Sequence, residues 1–154
     1  MWRKLRKQIA VERETLHQLL ASFQPLLRKC DSWSPDYIEL SALGAMLHSF
    51  YGGIENIFKR VVIELGEGMP RGEGWHKELL ERMTRPHTNR PAVMSPDLAK
   101  VLEQYLDFRH LFRNIYSQRL EWQRMAKLVH GCEETLNRLE AELNLFLAAT
   151  QDKE

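Results

Sequence analysis

The stretch that decides the fold is residues 122–146, which read WQRMAKLVHGCEETLNRLEAELNLF. Apolar side chains recur along it at alternating steps of three and four residues, as in the seam of a coiled coil. Such a seam must be covered by another helix, either within the same chain or on a second subunit. The seam positions are Trp122, Met125, Val129, Cys132, Leu136, Leu139, Leu143 and Phe146.

Two further long helices are predicted before this stretch. The first runs from about Trp2 to Cys30, and Pro25 is expected to kink or split it. The second begins at Ser34-Pro35, a cap residue followed by proline, and continues to about Leu65. It contains the pair Gly52-Gly53, which predicts a close approach to another helix, inside a bundle or across a dimer.

The remaining elements follow the same helical pattern. Glycines and a proline over residues 66–74 predict a loop, and a short helix is expected over Trp75–Met83. Ser95-Pro96-Asp97 repeats the cap-plus-proline start signal for a fourth helix, and the last helix should run from about Leu120 to Thr150. We therefore predict one all-α domain over residues 1–154, an antiparallel bundle of four long helices plus one short helix.

Composition and charge restrict the function classes. The net charge of +1 does not indicate a general nucleic-acid binder, so any such activity must rest on a local patch. Cys30 and Cys132 are too few for a disulfide framework, which favours reduced thiols and a cytoplasmic location. The charged first residues lack a signal-peptide core, and no apolar run predicts a membrane span.

Several kinds of site have no support in the sequence. The glycine-rich residues 66–74 lack the lysine and the flanking strand of a phosphate-binding loop. The six histidines are scattered, with no zinc spacing. We therefore expect no cofactor and no metal ligands.

One cluster of residues could carry chemistry, and it lies in residues 107–121, DFRHLFRNIYSQRLE. On a helix, Arg109, Arg113 and Tyr116 share one stripe, and His110 and Asn114 share the adjoining face. Arginine forks bind phosphate oxygens, and histidine moves protons near neutral pH. Such a set could bind RNA and cleave it without a metal ion. The alternative is a polar helix face with ordinary ion pairs.

The stretch Arg109–Tyr116, near a helix end in a small helical chain, resembles the signature of the HepT-like toxins of the HEPN superfamily. Their motif is an arginine, four residues, a histidine, one residue and a tyrosine, often with a polar residue after the arginine. Arg109, His110 and Tyr116 match this motif, whereas Asn114 stands where the family has its histidine. Asparagine cannot act as a general base. The flanking context also resembles the family, in residues 48–60, at Trp75-His76 and in SQRLEWQRM.

This resemblance implies a function, a partner and residue roles. It implies the toxin of a type VII-like toxin–antitoxin pair, a homodimeric, metal-independent endoribonuclease with its RNA substrate in the dimer cleft. A minimal nucleotidyltransferase antitoxin would attach adenylate to Tyr116, a catalytic-site residue that would also contact the substrate. Arg109 would bind the scissile phosphate, and His110 or Asn114 would position the 2′-hydroxyl or the leaving group. Arg113 and Arg119 would contact RNA.

Asn114 keeps two other hypotheses open. The chain could be a catalytically inactive bundle that binds a nucleotidyltransferase or a nucleotide, or a purely structural helical dimer. Among the remaining residues, His48 is expected to be a core or interface histidine, and His76 a surface or cap residue with an RNA contact as the alternative. Trp122 is expected in the core. A solvated loop or an RNA-guiding rim is expected for Arg82, Arg85, His87 and Arg90.

Overall fold

The computed structural model describes residues 1–114 and 119–154, and its long regular elements are all α-helices. The all-α prediction of four long helices and one short helix is therefore confirmed. None of the helices in these two ranges is long and apolar enough to cross a bilayer. The helices are α1 (Trp2–Lys29), α2 (Tyr37–Glu64), α3 (Trp75–Arg82), α4 (Pro96–Arg113) and α5 (Trp122–Ala149).

Helix α2 is the centre of the bundle and packs against each of the other four helices. Its apolar residues are buried around most of its circumference, as expected for a helix surrounded by others. The same helix buries one charged side chain, Glu55. Because α3 and α4 both pack on α2, this carboxylate can reach groups from two other elements.

The predicted start of α2 differs from the structure, whereas the predicted start of α4 agrees with it. The predicted start of α2 at Ser34-Pro35 is wrong, because Asp36 is the N-cap. The Asp36 side chain accepts a hydrogen bond from the Glu39 backbone N–H at 2.8 Å, and the Glu39 side chain accepts one from the Asp36 N–H at 3.0 Å. This reciprocal pair satisfies two donors, which a Ser34 cap could not do. The predicted start of α4 is confirmed, since the Ser95 hydroxyl accepts from Leu98 N–H at 3.2 Å.

Pro25 does not split the first helix, since α1 continues through it to Lys29. The proline lies in the last turns of a 28-residue helix, where Leu26 and Leu27 pack against the core. An interior proline costs roughly 3 kcal/mol of helix stability. The packing of the residues on both sides offsets that cost.

The glycines of α2 allow neighbouring helices to approach within the same chain. A Cβ atom placed on Gly53 would lie 2.7 Å from Cδ2 of Leu16 on α1, and one on Gly44 would lie 2.8 Å from the Phe112 ring on α4. Gly52 has nothing within 4 Å of the same position. Of the two alternatives for the glycine pair, close approach inside the bundle therefore holds for Gly53.

The seam of α5 is covered inside the chain, which settles the other open alternative. Seven of its eight positions, from Met125 to Phe146, are buried, in a helix that packs on α1, α2 and α4. Trp122 is only half-buried and packs at the edge of the core. A second subunit is thus not needed to cover this seam.

Candidate functional site

The last two turns of α4 and the start of α3 enclose a cavity of about 320 Å³, named here the α3–α4 cavity. Arg109, His110 and Arg113 line it from α4, as their spacing on one side of a helix requires. From the other side it is lined by Glu73, Gly74, His76 and Lys77, and its α4 wall is completed by Leu106 and Asp107.

The buried carboxylate of Glu55 joins the residues behind this cavity. Its Oε2 lies 2.7 Å from Nδ1 of His76, and its Oε1 lies 3.7 Å from Nη1 of Arg109. Lys59, one turn along α2, is 3.9 Å from the same Oε1. The Glu55 side chain is 2% exposed, whereas those of Arg109 and His76 are 18% and 23% exposed. Glu55 is thus sealed inside the bundle, and its two partners reach the cavity.

The ring of His76 is held by stacking as well as by its hydrogen bond. It lies on the Trp75 ring, with centroids 3.6 Å apart and planes inclined by 28°. Lys59 covers Trp75 at 5.1 Å from the ring centroid. Since a carboxylate only accepts hydrogen bonds, Nδ1 carries the proton that is donated to Glu55. Nε2 of His76 makes no hydrogen bond to a described residue.

Three buried polar atoms near Arg109 have no hydrogen-bond partner in the described part of the chain. They are Nε of Arg109, Nδ1 of His48 and the hydroxyl of Tyr51. Burial lowers the pKa of His48, and the charges of Arg109 and Arg113 lower it further, so its neutral form is favoured. Burial raises the pKa of Tyr51 well above its usual value, and the charge of Glu55 adds to this effect. Burial therefore favours the uncharged form of both side chains beside the arginines.

A second cavity, of about 330 Å³, lies between α4 and α5. Phe108, Leu111 and Met125 form apolar parts of its wall. Arg119 and Arg124 line it together with Lys127, so this cavity also has a cationic edge.

The comparison with known families decides what kind of protein carries these cavities. A family model described as HepT-like protein matches residues 42–150, which is more than half of the chain. The chain belongs to the HepT-like family. It is therefore a HEPN-type protein associated with toxin–antitoxin systems. No curated protein and no solved structure matches it significantly. The match begins inside α2, so Glu55, His76 and the α4 residues lie within it, and α1 lies outside it.

The predicted site residues of this HepT-like chain occupy different surroundings. Arg109, His110 and Arg113 are brought together in the α3–α4 cavity, whereas Arg119 lines the cavity between α4 and α5. Asn114 is the C-cap of α4, and its side-chain amide donates to the His110 carbonyl at 2.8 Å. Tyr116 lies outside the described residues.

Two functional candidates of the HepT-like chain were missed or misjudged from sequence. Glu55 was not singled out, although a lone acid in the apolar run IENIF was a usable signal. His76 was expected to be a surface or cap residue. It is instead half-buried and paired with Glu55, and Gly74 is the N-cap of α3.

The predicted basic loop is only partly available to a ligand. Arg90 is buried and forms two hydrogen bonds to Glu67, at 2.6 and 2.8 Å. Arg82 donates to the Gly68 carbonyl and to Glu78. These two arginines therefore stabilise the loops around α3, and Arg85 and His87 remain exposed.

Proposed function

We propose that this HepT-like chain is a metal-independent endoribonuclease toxin. The observation that supports the proposal best is that Arg109, His110 and Arg113 line one cavity with His76. Two guanidinium groups and two imidazoles in one concave site suit a phosphodiester, because they bind its oxygens and exchange protons near neutral pH.

The proposed roles follow from the positions of the side chains. Arg109 is held from behind by Glu55, and it stabilises the negative charge that develops on the scissile phosphate. Arg113, at the exposed end of the same helix, binds a neighbouring phosphate. His110 or Asn114 positions the 2′-hydroxyl or the leaving group. Because the 2′-hydroxyl is the nucleophile, RNA is cleaved and DNA is not.

The test is cleavage of RNA by the purified protein in the presence of EDTA. Wild type should degrade RNA, and Arg109→Ala should reduce the rate by at least about 100-fold. Arg109→Lys keeps the charge but loses the planar fork, so it should also be strongly impaired. Arg60→Ala, on the exposed side of α2 and outside the cavity, is the matched control and should retain wild-type activity. Undiminished cleavage by Arg109→Ala would remove the proposed role of Arg109.

Regulation of the same site is proposed through Tyr116 and through dimerisation. A minimal nucleotidyltransferase antitoxin would attach adenylate to Tyr116, and the added anionic group would repel RNA phosphates. Incubation with that enzyme and ATP should add one adenylate to wild type and none to Tyr116→Phe, as measured by mass spectrometry. The cleft is proposed to form between two copies, which light scattering should detect as a homodimer.

The hydrogen bond of Asn114 favours a second candidate. Its amide is used at the end of α4, and asparagine cannot accept a proton from the 2′-hydroxyl. The chain would then be a catalytically inactive module that binds a nucleotidyltransferase or a nucleotide. In that case wild type would not cleave RNA, Asn114→His would gain activity, and ATP would raise the melting temperature.

A further inference from the structure

We propose that His76, oriented by Glu55, is the general base of the RNA cleavage reaction. This inference rests on the proposed ribonuclease function and assigns the proton-transfer role that Asn114 cannot perform. It is drawn from the arrangement of α2, α3 and α4 around one buried carboxylate, and it places a catalytic residue on a helix outside residues 107–121.

The hydrogen bond between Glu55 and His76 has the geometry that a general base requires. Glu55 accepts the Nδ1 proton at 2.7 Å, so the lone pair of the neutral ring lies on Nε2. Stacking on Trp75 fixes the plane of the ring. An imidazole whose Nδ1–H is held by a buried carboxylate is oriented to accept a proton at Nε2.

Glu55 also places His76 next to the phosphate-binding group. One carboxylate oxygen faces the His76 ring and the other faces Arg109, so these two side chains meet at a single carboxylate. Both of them line the α3–α4 cavity. A phosphate bound by the Arg109 guanidinium would therefore have the adjacent ribose within the same cavity as His76.

The other described imidazoles near the cavity are less suited to this role. His110 is exposed and makes no side-chain hydrogen bond or ion pair with a described residue, so nothing fixes its ring. His48 does not line the cavity, and its ring packs against Phe112 with centroids 5.6 Å apart. Only His76, among these three, combines access to the cavity with a carboxylate partner.

The surroundings of His76 favour an anionic substrate. Four cationic side chains and three carboxylates, together with His110, face it from three helices and the loop before α3. They are Glu55 and Lys59 on α2, Glu73 and Lys77 at the start of α3, and Asp107, Arg109, His110 and Arg113 on α4. Glu55 is sealed off from the cavity. The charged groups that line the cavity itself are three cations and two carboxylates, which leaves an excess of one positive charge.

In the proposed step the 2′-oxygen of the ribose displaces the 5′-oxygen from phosphorus, and His76 accepts the proton. The 2′-oxygen attacks phosphorus while its proton moves to Nε2 of His76. The bond between phosphorus and the 5′-oxygen breaks, and a 2′,3′-cyclic phosphate forms. The 5′-oxygen leaves with a proton from water, and His76 then returns its own proton to solvent. Arg109 stabilises the charge on the non-bridging oxygens throughout.

The experiment is a single-turnover cleavage assay over a range of pH. His76→Gln should lower the rate by about 100- to 10,000-fold. The pH dependence of its rate should also differ from that of wild type, because the proposed proton acceptor is missing. His17→Gln, which changes an exposed histidine of α1 that pairs with Glu140 and lies outside the cavity, is the matched control and should keep the wild-type profile. Glu55→Gln should reduce the rate at least roughly 10-fold, because the ring loses its orienting charge.

Chemical rescue separates a proton-transfer role from a structural one. Added imidazole should restore part of the activity of His76→Gly and should leave Arg109→Ala inactive. Circular dichroism should show that each variant retains its helices. A fully active His76→Gln with an unchanged pH profile would overturn the inference, while an inactive Arg109→Ala in the same series would leave the ribonuclease function standing. A wild type that does not cleave RNA would overturn both.

Discussion

The neighbouring glycines of α2 allow a matched test of how α1 packs on α2. Gly52→Ala and Gly53→Ala both add one methyl group to the interior of the same helix. Each should gain about 0.5–1 kcal/mol of stability from the higher helix propensity of alanine. The gain is common to both variants, so the difference between them reports only what the added methyl group meets.

The methyl group at position 53 meets Leu16, which is fully buried on α1. The new Cβ would lie 2.7 Å from Cδ2 and 3.2 Å from Cγ of Leu16. Carbon atoms pack best at about 3.5–4.0 Å, so α1 must shift or Leu16 must change rotamer. Such overpacking typically costs about 1–3 kcal/mol. The methyl group at position 52 meets nothing within 4 Å and carries no such cost.

Urea unfolding, followed by circular dichroism, should therefore give Gly52→Ala a higher free energy of unfolding than wild type. Gly53→Ala should be less stable than Gly52→Ala by about 1–3 kcal/mol. For a chain of this size the two melting temperatures should differ by roughly 2–12 °C. In a Leu16→Ala background the destabilising effect of Gly53→Ala should be smaller than in wild type, since the clashing side chain is absent. Equal stabilisation by both alanines would show that α1 does not approach α2 at Gly53.

Two further predictions concern buried charge. Arg90→Met leaves the Glu67 carboxylate, which is 1% exposed, without its partner, so urea unfolding should show a loss of about 3–5 kcal/mol. The second concerns His48, whose pKa in the folded chain is lowered from 6.5 by burial and by the two guanidinium groups of α4. The unfolded chain therefore binds a proton more readily than the folded chain, and the free energy of unfolding should fall as the pH drops below about 6.5. His48→Gln should make the free energy of unfolding less dependent on pH below about 6.5. An unchanged pH dependence would contradict the lowered pKa of His48.

Helix positions were predictable from sequence because they depend on local patterns. The apolar repeat of α5 and the cap at Ser95 correctly predicted their elements. The capping box of Asp36 and Glu39 also has the required spacing in the sequence, but the adjacent Ser34-Pro35 competes with it as a start signal. Local competition between two start signals therefore explains this error.

The residues around Glu55 could not be assembled from local patterns. Glu55, His76 and Arg109 are separated by more than 20 residues from one another, and they meet only because α3 and α4 both pack on α2. Arg90 is an example of a residue whose local pattern was misleading. It belongs to a basic cluster that was expected to be a solvated loop or an RNA-guiding rim, but its side chain forms a buried ion pair with Glu67. A charged residue's partner decides its role, and that partner is set by tertiary packing.

Glu55 and Glu67 carry carboxylates that are similarly buried in the described part of the chain, but their partners differ in access to a ligand. Glu67 and Arg90 are both 1% exposed, so this pair is closed to any ligand and its energy serves the fold alone. Glu55 is 2% exposed, but Arg109 and His76 are roughly one-fifth exposed and reach a cavity. A buried acid lowers stability unless its partners compensate, and a hydrophobic residue at position 55 would avoid that cost. The arrangement around Glu55 is therefore better explained by what it does for Arg109 and His76 at the cavity than by its contribution to the bundle.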